Sequence, residues 1–145
     1  MCEEYSDFEI CFVKSWNLAE IVNLYEAGGW WKQEYCKEGL TDLIAGSFLF
    51  AVIIEKSSKK AVGMGRMLSD GVSDGYIQDV VVLPDLRGKG LGKKIISSLV
   101  SKAQSKGLDW IGLIGEPNTQ GFYEKLGFKL LKDYVPMLYL GKMEE

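Results

Sequence analysis

Apolar positions along the chain change period repeatedly, and each change marks an element. "FEICFVKSW", residues 8–16, is rich in β-branched and aromatic residues over a strand-like length. Asn17 then opens "NLAEIVNLYEAGG", where Leu18, Ile21, Val22, Leu24 and Tyr25 recur at helical spacing until Gly28 and Gly29 end the helix. "WWKQEYCKEG" follows, then a short helical segment near "LTDLIAGS". "SFLFAVIIE", residues 47–55, is a continuous apolar run, and "KSSKK" reads as a hairpin turn into "AVGMGRMLSD", so these two strands should be antiparallel neighbours. After a turn at "GVSDG", "YIQDVVVLP" predicts a buried, central strand stopped by Pro84. "GLGKKIISSLVSKAQSKG" places Leu91, Ile95, Ile96, Leu99, Val100 and Ala103 on one stripe with lysines and serines opposite, and Gly107 closes the helix. "DWIGLIGE" is a further strand, "NTQGFYEKLG" a short helix, and "FKLLKDYVPMLYL" contains one or two last strands. The order is mixed α and β.

Length and composition narrow what such a chain can do. At 145 residues, with no repeat, linker or low-complexity segment, residues 1–145 should form a single domain. A formal net charge of −3 leaves no general basic face for nucleic acid, so any anion must be bound locally. There is no histidine, which excludes Ser-His-Asp and Cys-His mechanisms. Proton transfer must fall to carboxylates, tyrosine, cysteine or lysine. Cys2, Cys11 and Cys36 are odd in number and lack metal-type spacing, which argues against a zinc site or a disulfide framework and for a reducing cytoplasm. The acidic N-terminus is unlike a secretory signal, and no apolar run approaches the ~20 residues that span a bilayer, so no membrane association is expected.

The glycines of "LPDLRGKGLGKKI", residues 83–95, change the picture most. A strand, a glycine-rich loop and a helix start together make an anion site, because the first helical turn has unpaired N–H groups and a partial positive charge. Gly88, Gly90 and Gly92 let backbone approach a ligand, while Arg87, Lys89, Lys93 and Lys94 add cations suited to a diphosphate. The loop of phosphate-cleaving NTPases is excluded, since Gly92-Lys93 is followed by Lys94 where a metal-binding hydroxyl is required. A dinucleotide fingerprint is excluded by the G-x-G-x-G spacing. An ordinary tight turn feeding a helix needs only one glycine.

"VVVLPDLRGKGLGKKII" resembles the acetyl-CoA motif of the GNAT superfamily of N-acetyltransferases, V-x-P-x-x-[QR]-G-x-G-x-[GA], and "NTQGFYEKLGF", residues 118–128, is similar to the family's F-Y-x-x-x-G-F element. The two matches cover about the C-terminal half. The resemblance implies an α/β (α+β) fold with a mixed, mostly antiparallel sheet, flanked by helices, in which two parallel central strands splay into a V that holds acetyl-CoA. Val80, Val81 and Val82 would pair with the pantetheine, the backbone of Gly88, Lys89, Gly90, Leu91, Gly92 and Lys93 would hold the pyrophosphate beside Arg87, and Asn118 would bond the CoA arm. No metal takes part. The run "GRMLSDGVSDGYIQDVVVLP" further resembles a subgroup that includes plastid-type arylalkylamine and lysine acetyltransferases.

The implied activity is transfer of an acetyl group to a primary amine by direct attack on the thioester. Such transfer needs a neutral amine, a polarised carbonyl and a proton donor for the leaving thiolate. Tyr123 matches the family tyrosine near the CoA sulfur; the alternative is a core tyrosine on a short amphipathic helix. Some members carry a Glu-Asp pair where this chain has Gln78 and Asp79, so the base stays open between Asp79 and Glu116, either of which can equally be a solvated carboxylate. Trp30 and Trp31, with Tyr35, lie in the segment that covers the acceptor side, where aromatic rings suit a cationic or aromatic amine; equally, a tryptophan pair after a helix is core, with at least one ring pointing inward. The acceptor is left open between a small-molecule amine and a peptide or protein lysine. Two alternatives to acetyl transfer remain, a non-catalytic CoA-binding module and a transferase of longer acyl groups. The apolar "YVPMLYL" suggests, by family analogy, a homodimer.

Overall fold

A computed structural model describes residues 2–141. Its strands are β1 (Cys2–Tyr5), β2 (Phe8–Phe12), β3 (Leu49–Glu55), β4 (Lys60–Leu68), β5 (Asp74–Val82) and β6 (Trp110–Leu113). Its helices are α1 (Leu18–Ala27), α2 (Gly39–Gly46), α3 (Leu91–Ser105) and α4 (Gln120–Glu124). All six strands form one sheet in sequential order, antiparallel throughout except for the parallel pair β5 and β6. Short turns suffice within the antiparallel hairpins, whereas a parallel pair needs a crossover, which α3 supplies. This is the mixed, mostly antiparallel sheet flanked by helices that the sequence leads one to expect. Backbone contacts divide the chain into two compact units, the first ending at Leu113 and the second beginning at Ile114.

Within the first unit both faces of the sheet are covered, which is why β3 reads as an unbroken apolar run rather than an alternating one. Phe50, Val52, Ile54, Met64 and Val81 join Ile21, Leu24 and Tyr25 of α1 and Leu40 and Ile44 of α2 in one core cluster. The opposite face receives α3, whose Leu91, Ile95, Ile96, Leu99 and Ala103 are buried as the stripe requires. Close approach there depends on Gly65 of β4: a Cβ at that position would lie 2.6 Å from Ile95 Cγ2 and 3.2 Å from Leu99 Cδ1.

Two irregularities shape the end of β5. Met64 pairs with Val81 and Arg66 with Gln78, so Asp79 and Val80 together oppose Gly65 alone, a β-bulge. Asp79 absorbs it in the left-handed region, at φ 58°, which aspartate tolerates better than most residues. Without the bulge Asp79 would follow Gly75 and Ile77 onto the α3 face; with it, Asp79 stays beside Arg66 and the α1 side. The second irregularity is that pairing with β6 ends at Ile77 and Leu113, while β5 runs on to Val82 with β4 as its one strand partner among the described residues.

Two expectations need correction. Cys2 and Cys11 are disulfide-bonded, because the β1–β2 register sets them opposite each other with Cα atoms 4.1 Å apart. β1 itself has no apolar pattern to announce it, being half acidic and almost wholly exposed. The run 128–140 forms no strand among the described residues: a turn closed by Tyr134 N–H to Leu131 O (3.1 Å) interrupts it, and Pro136 lacks the N–H a ladder needs. Among the described residues no helix is long and apolar enough to cross a membrane.

Gly65→Ala should destabilise the fold by about 1–3 kcal/mol, because Ile95 and Leu99 must give way to the added methyl. Urea unfolding checks this through a lowered midpoint at unchanged slope.

Candidate active site

After β5, Pro84–Leu86 make one 3-10 turn and the chain enters α3 through Arg87, Gly88, Lys89 and Gly90. Gly88 and Gly90 both take left-handed conformations, φ 82° and 81°, which side chains resist. Gly90 is the N-cap and offers no side-chain acceptor. The first N–H past Arg87 to find a backbone acceptor is that of Lys94, which donates to Gly90 O (3.1 Å). The N–H groups of Gly88 through Lys93 thus have no partner among the described residues, and they sit at the positive end of a helix running to Ser105. A Cβ at Gly88 would meet nothing within 4 Å, so the cradle is open. Lys89 and Lys93 are exposed beside it. These features fit an anionic ligand such as a diphosphate. The side chain of Arg87 is bonded to the scaffold. Its Nε donates to Val82 O (2.9 Å) and its Nη2 to Ala27 O (3.4 Å), bracing the end of β5 against the end of α1.

The bulge creates a second cluster. Asp79 Oδ2 accepts from Tyr25 Oη at 2.8 Å and from Arg66 Nε at 2.7 Å, and both contacts fall on the same oxygen. Arg66 also reaches Gln78 Oε1 (3.3 Å) and Ser47 Oγ (3.5 Å). Burial, and then the negative charge of Asp79, push the Tyr25 phenol well above the ordinary tyrosine range, so it stays protonated and donates. Around it lie Trp30, edge-on at 6.2 Å between centroids, and Trp31 at 6.3 Å, with Tyr35 edge-on to Trp31 at 5.5 Å. Trp30 and Trp31 are both half-buried against the core cluster. The fold therefore brings Trp30, Trp31 and Asp79 into one neighbourhood, with Tyr25 as the link.

The second unit holds the remaining candidates. Tyr123 on α4 is half-buried, edge-on to Phe122 at 5.0 Å and to Phe128 at 5.7 Å. Burial, and then the nearby charge of Glu116, raise its phenol above the usual value. Glu116 and Asn118 are exposed, Asn118 in a left-handed conformation at φ 68°, and Thr119 Oγ1 donates to Glu116 O at 2.6 Å.

Tyr25 and Arg66 are the functional candidates that sequence reasoning missed. Tyr25 sits on the apolar stripe of α1 and reads there as core, and Arg66 is one polar residue in a buried strand. A cation within "AVGMGRMLSD" is the available signal, since a half-buried charge demands a partner.

Residues 46–130 match the family model described as "Acetyltransferase (GNAT) domain". The uncharacterized N-acetyltransferase ycf52 of Pyropia yezoensis is 35% identical over 126 residues, which is 86% of this chain and 72% of that protein. The chloroplastic serotonin N-acetyltransferase 2 of Oryza sativa subsp. japonica is 38% identical over 79 residues, 54% of this chain and 40% of that protein. Among solved structures, a GNAT-family acetyltransferase of Streptococcus pneumoniae TIGR4 superposes with a TM-score of 0.78 at 24% identity, covering 94% of this chain and 99% of its own. With the family model matching more than half its length and its sheet carrying the same fold, the chain belongs to the GNAT superfamily of N-acetyltransferases.

Proposed function

We propose that this protein transfers an acetyl group from acetyl-CoA to the primary amine of a small molecule or of a peptide or protein lysine, by direct attack of the amine on the thioester. The observation that carries the reading is the row of N–H groups from Gly88 to Lys93, unpartnered among the described residues and opened by two left-handed glycines at the start of α3. Acetyl-CoA, when bound, supplies an activated acyl thioester. The chain's part is to hold it and to manage protons. The N–H row, with Lys89 and Lys93, binds the diphosphate through backbone, so side-chain identity matters little there. Val80–Val82, whose strand pairing among the described residues is with β4 alone, offer strand backbone to the pantetheine amides.

Asp79 is the residue we assign to accept the amine proton: Tyr25 and Arg66 both occupy its Oδ2, which leaves Oδ1 to face the amine. Tyr123 is assigned to donate the proton that the departing thiolate needs, and its raised pKa keeps the phenol protonated for that step. Glu116 remains the alternative carboxylate. Trp30 and Trp31 form an aromatic wall suited to an aromatic or cationic acceptor, in keeping with the name of the serotonin N-acetyltransferase relative. No acyl-enzyme is invoked, since Cys2 and Cys11 are bonded to each other and the Cys36 thiol donates to Glu38 Oε2 (2.9 Å).

Gly88→Ala, which forces a Cβ into a left-handed position facing the ligand, should raise the acetyl-CoA Kd about tenfold, an effect of roughly 1–2 kcal/mol measurable by calorimetric titration. Tyr123→Phe should lower kcat roughly 100-fold, within the span of general acid catalysis, while leaving the KM for acetyl-CoA within about twofold. Equal losses in both would remove the assigned role. Because the Tyr123 pKa is raised, its proton is retained as pH climbs. The rate should therefore rise with pH as the acceptor amine loses its proton, with no falling limb from Tyr123 below about pH 10; a pH–kcat profile checks this.

A further inference from the structure

We propose that the Cys2–Cys11 disulfide is a thiol–disulfide exchange site through which a dithiol reductant sets the affinity of the amide cradle for its diphosphate ligand, the oxidised form binding more weakly. This rests on the reading of the cradle given above and adds a control to it. β1 is a four-residue edge strand of which only Tyr5 is even half-buried. Such a strand buries too little to hold itself in place. Its hold comes chiefly from the β2 ladder and from the bond to Cys11, which is 4% exposed and packed in the core cluster, with an exposed ion pair of Glu4 to Lys56 (3.4 Å) adding little.

The fixed strand bears on the start of α3. Glu3, next to the bonded Cys2, places its Oε1 2.7 Å from Nζ of Lys94, in the first turn of α3. The same ammonium lies 5.7 Å from the Tyr5 ring centroid, and the Tyr5 hydroxyl is 3.2 Å from where a Gly90 Cβ would stand. A carboxylate there opposes a diphosphate in two ways. It adds negative charge beside the N–H row, and it occupies a lysine that would otherwise face the ligand. While Cys2 is bonded to Cys11, the backbone that carries Glu3 is held beside α3.

Exchange begins at Cys2, the exposed sulfur. A thiolate of the dithiol attacks Cys2 Sγ, the Cys2–Cys11 bond breaks, and the electron pair leaves on Cys11 Sγ, which takes a proton from water. The second thiol of the dithiol then attacks its own partner sulfur in the mixed disulfide and expels Cys2 as thiolate, which is protonated in turn. Two electrons and two protons pass to the protein, and the dithiol becomes a disulfide. β1 is then held without a covalent tie, by its ladder and by exposed side-chain contacts such as Glu4 with Lys56 (3.4 Å), and Glu3 can part from Lys94 more readily.

The test is calorimetric titration of the full chain with acetyl-CoA, oxidised and after reduction with dithiothreitol. Thiol counting verifies each state: Cys36 alone reacts in the first, and all three cysteines in the second. A chelator is present, because the ligand atoms of Cys2, Glu9 and Cys11 lie within 4.8 Å of one another in the bonded state and reduction frees both sulfurs to take a metal ion. Reduction should tighten the Kd about five- to tenfold, at the modest end of coupling between sites. Glu3→Gln should recover most of that gain with the disulfide intact, and Cys2→Ser/Cys11→Ser should show the reduced Kd with or without dithiol. Equal Kd values in the two states, or an unchanged Kd in oxidised Glu3→Gln, overturn the switch alone. Binding in neither state overturns the reading of the cradle and the switch with it.

Discussion

One extra residue in β5 is the constraint on which the rest of this structure depends. By taking the left-handed conformation, Asp79 lets Val80 to Val82 resume the ladder with β4 while its own carboxylate stays beside Arg66 and Tyr25. A non-glycine residue in that region costs on the order of 1–3 kcal/mol and persists only where its surroundings over-determine it. Here they do: a guanidinium and a phenol both hold one carboxylate oxygen, and Val81 and Val82 beyond it are buried. The same stretch of β5 is where pairing with β6 has already ended, so strand backbone and a fixed carboxylate come together at the end of the sheet.

The chain divides its labour between backbone and side chains. In the proposed function backbone binds, because the N–H row before Lys94 and the one-sided end of β5 present donors and acceptors whatever residues carry them. The proton work is assigned to side chains, and without histidine that assignment falls to phenols and carboxylates. Both phenols concerned, Tyr25 and Tyr123, are raised by burial first and a nearby carboxylate second. They are therefore donors over the whole neutral range, and differ in what they serve: Tyr25 fixes a carboxylate already present, while Tyr123 is assigned to a charge that develops during reaction.

What is legible in the sequence follows from how local each signal is. The stripe of α3, the Asn17 cap of α1 and the hairpin at "KSSKK" are set by neighbours three or four residues away, and they can be read directly. The glycine loop is legible because glycine's backbone freedom is a property of the residue itself. The Arg66–Asp79–Tyr25 cluster is not, since it joins α1, β4 and β5 and needs a bulge that no pattern of polarity announces. The Cys2–Cys11 bond escapes a sequence reading for a related reason: an odd cysteine count argues against a framework, yet the register of one hairpin settles the pair. The last run, 128–140, misleads because its apolar composition suggests a strand, while the turn before Tyr134 and the missing donor of Pro136 decide otherwise.

The central claim is that backbone amides at the start of α3 take the ligand's diphosphate. Amide-resolved nuclear magnetic resonance during an acetyl-CoA titration tests it most directly, because each N–H reports for itself. The account predicts the largest shifts at Gly88 to Lys93, saturating together with the Kd measured for the whole protein. Saturable binding that leaves those amides unmoved would contradict it.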